Sequence, residues 1–227
     1  MKRNDFQMTP VGRFLRYLCD LMVVNWLWIL CSLPVVTIGP ATCALFAVTL
    51  RLARDENVSV LRTFFRAFRN NFKSGLLLGL IGIGLLVVGA TDFLFALEQT
   101  GLFRKLFIVV AVIVLCVLLI VVSYAFALQA RFENSLTGQI KNAFTLAVCS
   151  PGWTVLMWAI YLLPIAGLLL WPELFLQVLG FLYLMIGISG PAFLGSFVLK
   201  HIFARFGDVE ELPLEDDDTV EEAEEEV

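Results

Sequence analysis

The sequence predicts an all-α fold, a polytopic transmembrane helical bundle, and three observations support this prediction. Hydrophobic residues make up 59% of the 227 positions and charged residues only 16%, whereas a soluble domain carries about a quarter charged residues. Several apolar runs are longer than the ~20 residues that a helix needs to cross a bilayer. These runs do not alternate between apolar and polar residues, which excludes a transmembrane β-barrel.

The first element is a long apolar stretch, residues 18–50, which two prolines and a glycine interrupt near its middle. Pro34 and Pro40 each remove a backbone donor and disfavour helix just before them. We therefore expect a non-helical turn between two membrane segments, 14–34 and 36–53. The unpaired backbone groups of this turn need cover from other protein or from a water-filled cavity.

Four further apolar segments follow, at 75–97, 106–130, 152–171 and 174–200. Of the sixteen Lys and Arg, only Arg104 and Lys105 lie in the turn near Gly101, so 16 − 2 = 14 lie in the other connections or near the termini. Basic loops stay in the cytoplasm. The sequence therefore predicts about six membrane segments with both termini inside. If residues 18–50 cross only once, five segments result and the N-terminal charges lie outside.

Two basic connections are predicted to form amphipathic helices on the cytoplasmic surface. In residues 58–73 the apolar face holds Leu61, Phe64, Phe65, Phe68 and Phe72, and a separate stripe holds Arg62, Arg66, Arg69 and Lys73. In residues 135–148 the apolar face holds Leu136, Ile140, Ala143, Phe144 and Ala147. A helix of the first kind lies in the headgroup layer, with its basic side toward the phosphates.

Charge divides the chain into a single transmembrane domain, residues 1–207, and an acidic tail, residues 208–227. The tail carries twelve Asp or Glu and no Lys or Arg. The domain holds sixteen basic and eight acidic residues, a net charge of 16 − 8 = +8. We therefore expect the domain to favour a bilayer with an anionic inner leaflet, and the cytoplasmic tail to be disordered. Nucleic acid is not an expected partner.

Three polar residues within apolar segments raise a functional question: Asp20, Asn25 and Asp92. An ionisable side chain at the centre of a membrane helix costs about 2.5–3.5 kcal/mol on insertion scales. Asp20 and Asp92 are expected at opposite depths, either in a transport or binding site or as interfacial residues satisfied by water or arginine. Asn25 lies deeper, and we expect it to bond across helices or to backbone groups freed by the break at residues 32–41.

Small residues form two further patterns. Gly75, Gly79, Gly82 and Gly89 predict a smooth helix face that lets another helix approach closely. The sequence Gly39-Pro40-Ala41 recurs as Gly190-Pro191-Ala192, and each copy leads into a segment that ends in basic residues. This recurrence hints at an internal duplication.

The sequence offers no catalytic set. The five cysteines (Cys19, Cys31, Cys43, Cys116 and Cys149) form no C-x-x-C pair, and the single histidine, His201, has no nearby cysteine or carboxylate. A metalloprotease motif, a nucleotide-binding loop and paired intramembrane acids are all absent from the sequence. We therefore expect no enzymatic activity, no cofactor and no metal.

Two motifs resemble those of the YesL-like family of bacterial integral membrane proteins. The first runs from Asn25 to Thr42 and includes Cys-Ser-Leu-Pro-Val-Val-Thr-Ile-Gly-Pro-Ala, and the second is Phe-Phe-Arg-Ala-Phe-Arg-Asn-Asn-Phe-Lys, ending at Lys73. The resemblance implies these motif residues: Asn25, Trp28, Ser32, Pro34, Thr37, Gly39, Pro40, Phe68 and Lys73. It also implies a multi-pass cell-membrane protein of Gram-positive bacteria, often encoded beside carbohydrate-uptake systems, with no established activity.

Two functions are compatible with the sequence. The first is an accessory or interaction component of a membrane system, linked to carbohydrate uptake, with membrane transport subunits as partners and the amphipathic helices as docking surface. The alternative is a small stand-alone transporter with its site at the broken segment 32–41, because half-helix ends in transporters bind ions and substrates. The loop 135–148 lacks the acidic motif of an ABC permease, which disfavours that class.

Overall fold

The computed structural model describes residues 10–56, 58–132, 136–174, 177 and 180–206. These residues form helices and short connections without any strand, which confirms the predicted all-α class. The helices are α1 (Pro10–Cys31), α2 (Ile38–Ala53), α3 (Val60–Asn70), α4 (Phe72–Glu98), α5 (Gly101–Ile120), α6 (Phe126–Arg131), α7 (Leu136–Cys149), α8 (Pro151–Leu170), α9 (Pro172–Leu174), α10 (Gly180–Ile186) and α11 (Ser189–Phe206). The predicted acidic tail lies outside the described residues.

Five described helical stretches are long and apolar enough to cross a membrane: Val11–Cys31, Val35–Ala53, Phe72–Glu98, Gly101–Arg131 and Pro151–Leu170. The fourth contains α5, a π-helical turn (Val121–Ala125) and α6. A sixth span results if α10 and α11 are taken together, because they pass the same test as a pair that is bent by 56°. The prediction of about six membrane segments is confirmed.

The turn that interrupts the first apolar stretch is shorter than predicted: a non-helical turn was expected from Pro34 to Pro40, and α2 already begins at Ile38. The chain leaves the helix at Ser32–Pro34, forms a 3₁₀ turn (Val35–Thr37) and enters α2 at Ile38. Gly39 and Pro40 therefore belong to the first turn of α2, where the missing N–H of a proline would have no helical partner in any case. The stretch forms two separate membrane-length helices.

Helix α2 is the centre of the bundle. Two thirds (67%) of its apolar window is buried, against at most 17% in the other four single spans. Helices α1, α3, α4, α6 and α11 all pack against it. The hairpin of α4 and α5 instead exposes many large apolar side chains, which suits helices that face lipid.

The two helices that begin with Gly-Pro-Ala run parallel to each other. Ser196 donates a hydrogen bond to Thr49 at 3.0 Å, and one turn further the Lys200 ammonium donates to the Ala53 carbonyl at 3.3 Å. Helix α1 runs antiparallel to α11, since Tyr17 packs on Phe193 whereas the later Leu21 contacts the earlier Ser189. The described chain therefore begins and ends on one side of the bundle, which we name the basic end.

The two amphipathic helices are present at that same end. Helix α3 ends at Asn70, three residues before the predicted boundary, so Lys73 lies in the first turn of α4. Helix α7 matches the predicted helix to within one residue at each end, and Ala143 and Ala147 of its predicted apolar face are buried. A helical period of 3.6 residues explains why these faces could be read from the sequence.

Candidate functional site

The last span is broken at Gly187–Ile188, and this break forms one side of the candidate site. Pro191 has no N–H, so the Gly187 carbonyl loses its helical partner. The Gly187 N–H donates to the Tyr183 carbonyl at 2.7 Å. A Cβ on Gly187 would run into that carbonyl oxygen and into the Tyr183 ring. The sharp bend therefore depends on glycine at position 187.

Asn25 of α1 joins the two halves of the broken span. Its side chain is fully buried. Its Nδ2 donates to the Leu184 carbonyl at 2.8 Å, while its Oδ1 accepts from the N–H groups of Ile188 at 3.0 Å and Ser189 at 3.2 Å. The Ser189 hydroxyl donates in turn to the Leu21 carbonyl at 2.8 Å. Of the two expected partners for Asn25, the structure shows the bond across helices, whereas the backbone groups of the turn after Cys31 do not bond to it.

A cavity of about 450 Å³ lies beside the break. Its walls come from α1, α2, α4, α5, the π-helical turn, α6, α8 and both halves of the last span. The π-helical turn places Val122 in the wall, while the neighbouring Tyr124 hydroxyl lies 2.7 Å from that of Thr154 in α8. Such turns interrupt the regular register of a helix and are frequent at functional sites.

The walls of the cavity are apolar and carry no charged side chain. Trp28 contributes its indole, whose Nε1 donates to the Thr42 hydroxyl at 3.1 Å. The Thr42 hydroxyl lies 2.7 Å from the Ile38 carbonyl, to which it donates. The Tyr161 hydroxyl is buried and makes no hydrogen bond to any described residue. Among the described residues, no group of three His, Cys, Asp or Glu is placed to hold a metal ion.

The motif glycine and proline of α2 form the contact with α4. A Cβ on Gly39 would overlap the Gly75 carbonyl oxygen and would lie 2.9 Å from the Gly79 Cα. A Cβ on Gly75 would lie 2.9 Å from the Cα of Pro40. The predicted glycine face of α4 is therefore a packing face at Gly75 and Gly79, because only hydrogen at these positions allows the two backbones to touch.

The other motif residues of the first connection stabilise the turn itself. The Thr37 hydroxyl lies 2.6 Å from the Cys31 carbonyl and 2.7 Å from the Pro34 carbonyl, and its N–H donates to Pro34 at 2.8 Å. The Ser32 Oγ is buried and has no hydrogen-bond partner among the described residues. Leu33, Val35 and Val36 are exposed. This turn faces outward, and the cavity begins only at Trp28 and Ile38.

The two acidic residues are not brought together. Asp20 is half-buried one turn after Arg16 of α1, with which it interacts electrostatically. Asp92 is half-buried near the far end of α4, and its Oδ2 has no hydrogen-bond partner among the described residues. Neither residue lines the cavity. They are not part of one site.

Helix α3 presents three distinct faces at the basic end. Val60, Thr63, Phe64 and Ala67 are buried against the bundle. Leu61 and Phe65 are 56% and 51% exposed on a second face. Arg62 and Arg69 are exposed on the third, with Arg66 beside them and Lys73 exposed just beyond the helix. Phe68 is stacked on Phe64 and meets the edge of Phe72, with ring centroids 6.4 and 5.7 Å apart.

Sequence reasoning missed several residues of the cavity and the break. Thr42, Tyr161 and Ser189 were not singled out, because a polar side chain in an apolar segment is noticed only when it is charged or an amide. Gly187 and Gly190-Pro191 could have predicted the break, because glycine and proline also interrupt the helix at the first turn. From the sequence alone, Gly190-Pro191 is interpreted only as part of an internal duplication.

Comparison with known proteins places this architecture in a family. The family described as "Protein of unknown function, DUF624" matches residues 21–93, which extend from α1 through most of α4. The "Uncharacterized protein YesL" of Bacillus subtilis (strain 168) is 31% identical over 153 residues, which cover 65% of this chain and 71% of that protein. No solved structure matches the chain. The chain therefore belongs to the YesL-like family, whose function is unknown.

Proposed function

We propose that this protein is a multi-pass cell-membrane protein that acts by binding, as an accessory or interaction component of a membrane system. The observation that carries this proposal is the three-faced helix α3. One face is buried against α2, one presents Leu61 and Phe65, and one presents the arginines. A helix held in this way by the bundle exposes its basic face to the headgroup layer and to any subunit beside it.

The chemistry of α3 suits an anionic inner leaflet. Each Lys or Arg close to such a surface contributes about 1 kcal/mol. Exposed Leu61 and Phe65 lie where an interfacial helix inserts apolar side chains among the acyl chains. We propose that transport subunits dock at the same face, and that carbohydrate uptake in a Gram-positive host is the system to test first. The resemblance to the YesL-like family supports that choice.

The alternative, a stand-alone transporter with its site at residues 32–41, has weaker support. The Thr37 hydroxyl is hydrogen-bonded to the Cys31 and Pro34 carbonyls, and the apolar side chains of the turn are exposed (Leu33, Val35 and Val36). Of residues 32–41, only Ile38, the first residue of α2, lines the cavity. A purified protein that moves a sugar into liposomes without other subunits would favour this alternative.

The binding proposal predicts that removal of the α3 charges weakens its attachment. In Arg62→Gln/Arg66→Gln/Arg69→Gln, protection of the α3 amides against hydrogen exchange in anionic nanodiscs should fall on the order of a hundredfold, because three charges contribute about 3 kcal/mol together. Transport subunits that co-purify with the parent in mild detergent should be lost. The control, Arg104→Gln/Lys105→Gln, removes basic residues at the opposite end. Unchanged exchange and unchanged co-purification in the triple variant would refute the role of α3.

Orientation gives a second expected result. Reporter fusions after Asp55, Gly101 and Asp208 should read inside, outside and inside, because the basic end carries most of the Lys and Arg and the positive-inside rule keeps it in the cytoplasm. The antiparallel arrangement of α1 and α11 supports two termini on one side. An outside reading after Asp55 would reverse the assignment of α3 to the inner leaflet.

A further inference from the structure

We propose that the cavity beside the broken span binds one hydrocarbon chain, the acyl chain of a membrane lipid. This site is separate from the α3 surface, so it can be present or absent whatever the outcome of the charge-removal experiment. The size of the cavity, the chemistry of its walls and the position of its rim support this assignment.

The size fits a small organic molecule. Ligand cavities in proteins measure about 300–1,000 Å³, and this one measures about 450 Å³. An apolar cavity of about 150 Å³ remains dry and takes up small hydrocarbons. A cavity three times as large, lined by Leu45, Phe46, Ile83 and Leu118, has the same preference for hydrocarbon over water.

The chemistry of the walls excludes ions and free sugars. No charged side chain lines the cavity, so no opposite charge there would offset the lost hydration of an ion. A sugar carries several hydroxyl groups, each of which needs a partner when buried. The Trp28 N–H is donated to Thr42, and the Thr42 hydroxyl is donated to Ile38. A ligand in this cavity is therefore mostly apolar.

The Tyr161 hydroxyl does not supply a polar contact to the cavity. It is buried, has almost no accessible surface and lacks a hydrogen-bond partner among the described residues. It lies against α11, where a Cβ on Gly195 would come within 2.5 Å of it, and Gly195 does not line the cavity. Tyr161 therefore adds its ring, and not its hydroxyl, to the apolar wall.

The rim of the cavity is open to the surrounding lipid. Four residues that line it are also exposed on the outer surface of apolar helices: Leu86 of α4 at 57%, Leu162 of α8 at 36%, Ile165 of α8 at 50% and Tyr183 of α10 at 40%. A side chain that both lines the cavity and faces outward marks an opening between these helices. The ligand would enter sideways from the acyl-chain region, which matches its apolar character.

Trp28 allows a direct test, because it lines the cavity while Trp26 is exposed to lipid. Two full-length proteins, each with one of these tryptophans and the other four replaced by Phe, are placed in vesicles of phosphatidylcholine with brominated acyl chains. Bromine quenches tryptophan fluorescence on contact. We expect quenching of both proteins. Absence of Trp28 quenching would overturn the proposal.

A pair of substitutions on α4 separates the cavity from the surrounding lipid. Gly82 lines the cavity, and a Cβ there meets nothing nearer than Leu118 at 4.0 Å, so Gly82→Leu should fill the space. Gly84 has no atom within 4 Å and does not line the cavity, so Gly84→Leu is the control. Trp28 quenching should fall at least threefold in the first variant only. Equal quenching in both would mean adventitious contact with lipid only and would overturn the site. If Gly82→Leu does not fold, Leu118→Phe fills the same space.

Discussion

Replacement of Gly39 by alanine is expected to lower the free energy of unfolding by about 3 kcal/mol, the upper part of the range for overpacked cores. The added Cβ would overlap the Gly75 carbonyl oxygen, and a backbone atom cannot rotate away as a flexible side chain can. Helices α2 and α4 would have to separate along the contact that Pro40, Gly75 and Gly79 also form. Denaturation in mixed micelles, followed by circular dichroism, measures the loss.

The matched control lies on α4. Gly84→Ala adds the same methyl group where no atom lies within 4 Å, and alanine is the better helix former. This variant should unfold at the denaturant concentration of the parent or above it. Gly79→Ala should behave like Gly39→Ala, because its Cβ would come within 2.8 Å of the Gly39 Cα. If Gly39→Ala and Gly84→Ala unfold together, the close approach of α2 and α4 is wrong.

Replacement of Asn25 by leucine is expected to destabilise the bundle by about 2–4 kcal/mol, since it leaves two backbone N–H groups without an acceptor. These are the part-buried N–H of Ile188 and the buried N–H of Ser189, which both donate to Asn25 Oδ1. Leucine has a similar volume, so the loss reports hydrogen bonding rather than a cavity. Because Asn25 holds both halves of the last span, the bend at Gly187 should also change.

Two further variants provide reference values for the stability loss of Asn25→Leu. Ser189→Ala removes one side-chain hydrogen bond, to the Leu21 carbonyl, and should cost about 0.6 kcal/mol, the average for such bonds in a membrane protein. Asn142→Leu makes the same substitution at an exposed position of α7 and should leave the unfolding midpoint unchanged. A loss for Asn25→Leu no larger than that for Ser189→Ala would show that the break does not depend on Asn25.

Local patterns in the sequence predicted most of the fold. Apolar length predicted the spans, and helical spacing predicted two of the four buried residues of α7 (Ala143 and Ala147) and the separate basic stripe of α3. The end of α3 at Asn70 was missed because no proline or glycine marks it. Pro191 lies in an apolar run without a charged residue between Glu173 and Lys200, so the last span was predicted as one segment, 174–200, although its helix breaks at Gly187–Ile188.

The candidate site could not be predicted in the same way, because its residues are far apart in the chain. Asn25 meets Leu184 across 159 positions, and the cavity combines Trp28, Thr42 and Tyr161 from three different helices. Sequence indicated that Asn25 needed buried partners, which is a property of the residue itself. The break that provides these partners is determined by how α1 packs against α10 and α11. A single sequence does not show which helices pack together.

The parallel contact between α2 and α11 has a consequence for biogenesis. Helix α2 leaves the ribosome well before α11, because Ser196, which bonds to Thr49, is made 147 residues later. At about 5–20 residues per second, translation of that interval takes on the order of 10 s. During this time the surface of α2 that packs against α11 remains uncovered. Insertion and assembly are therefore separate events, and a nascent chain released before α11 would be a ready substrate for membrane quality control.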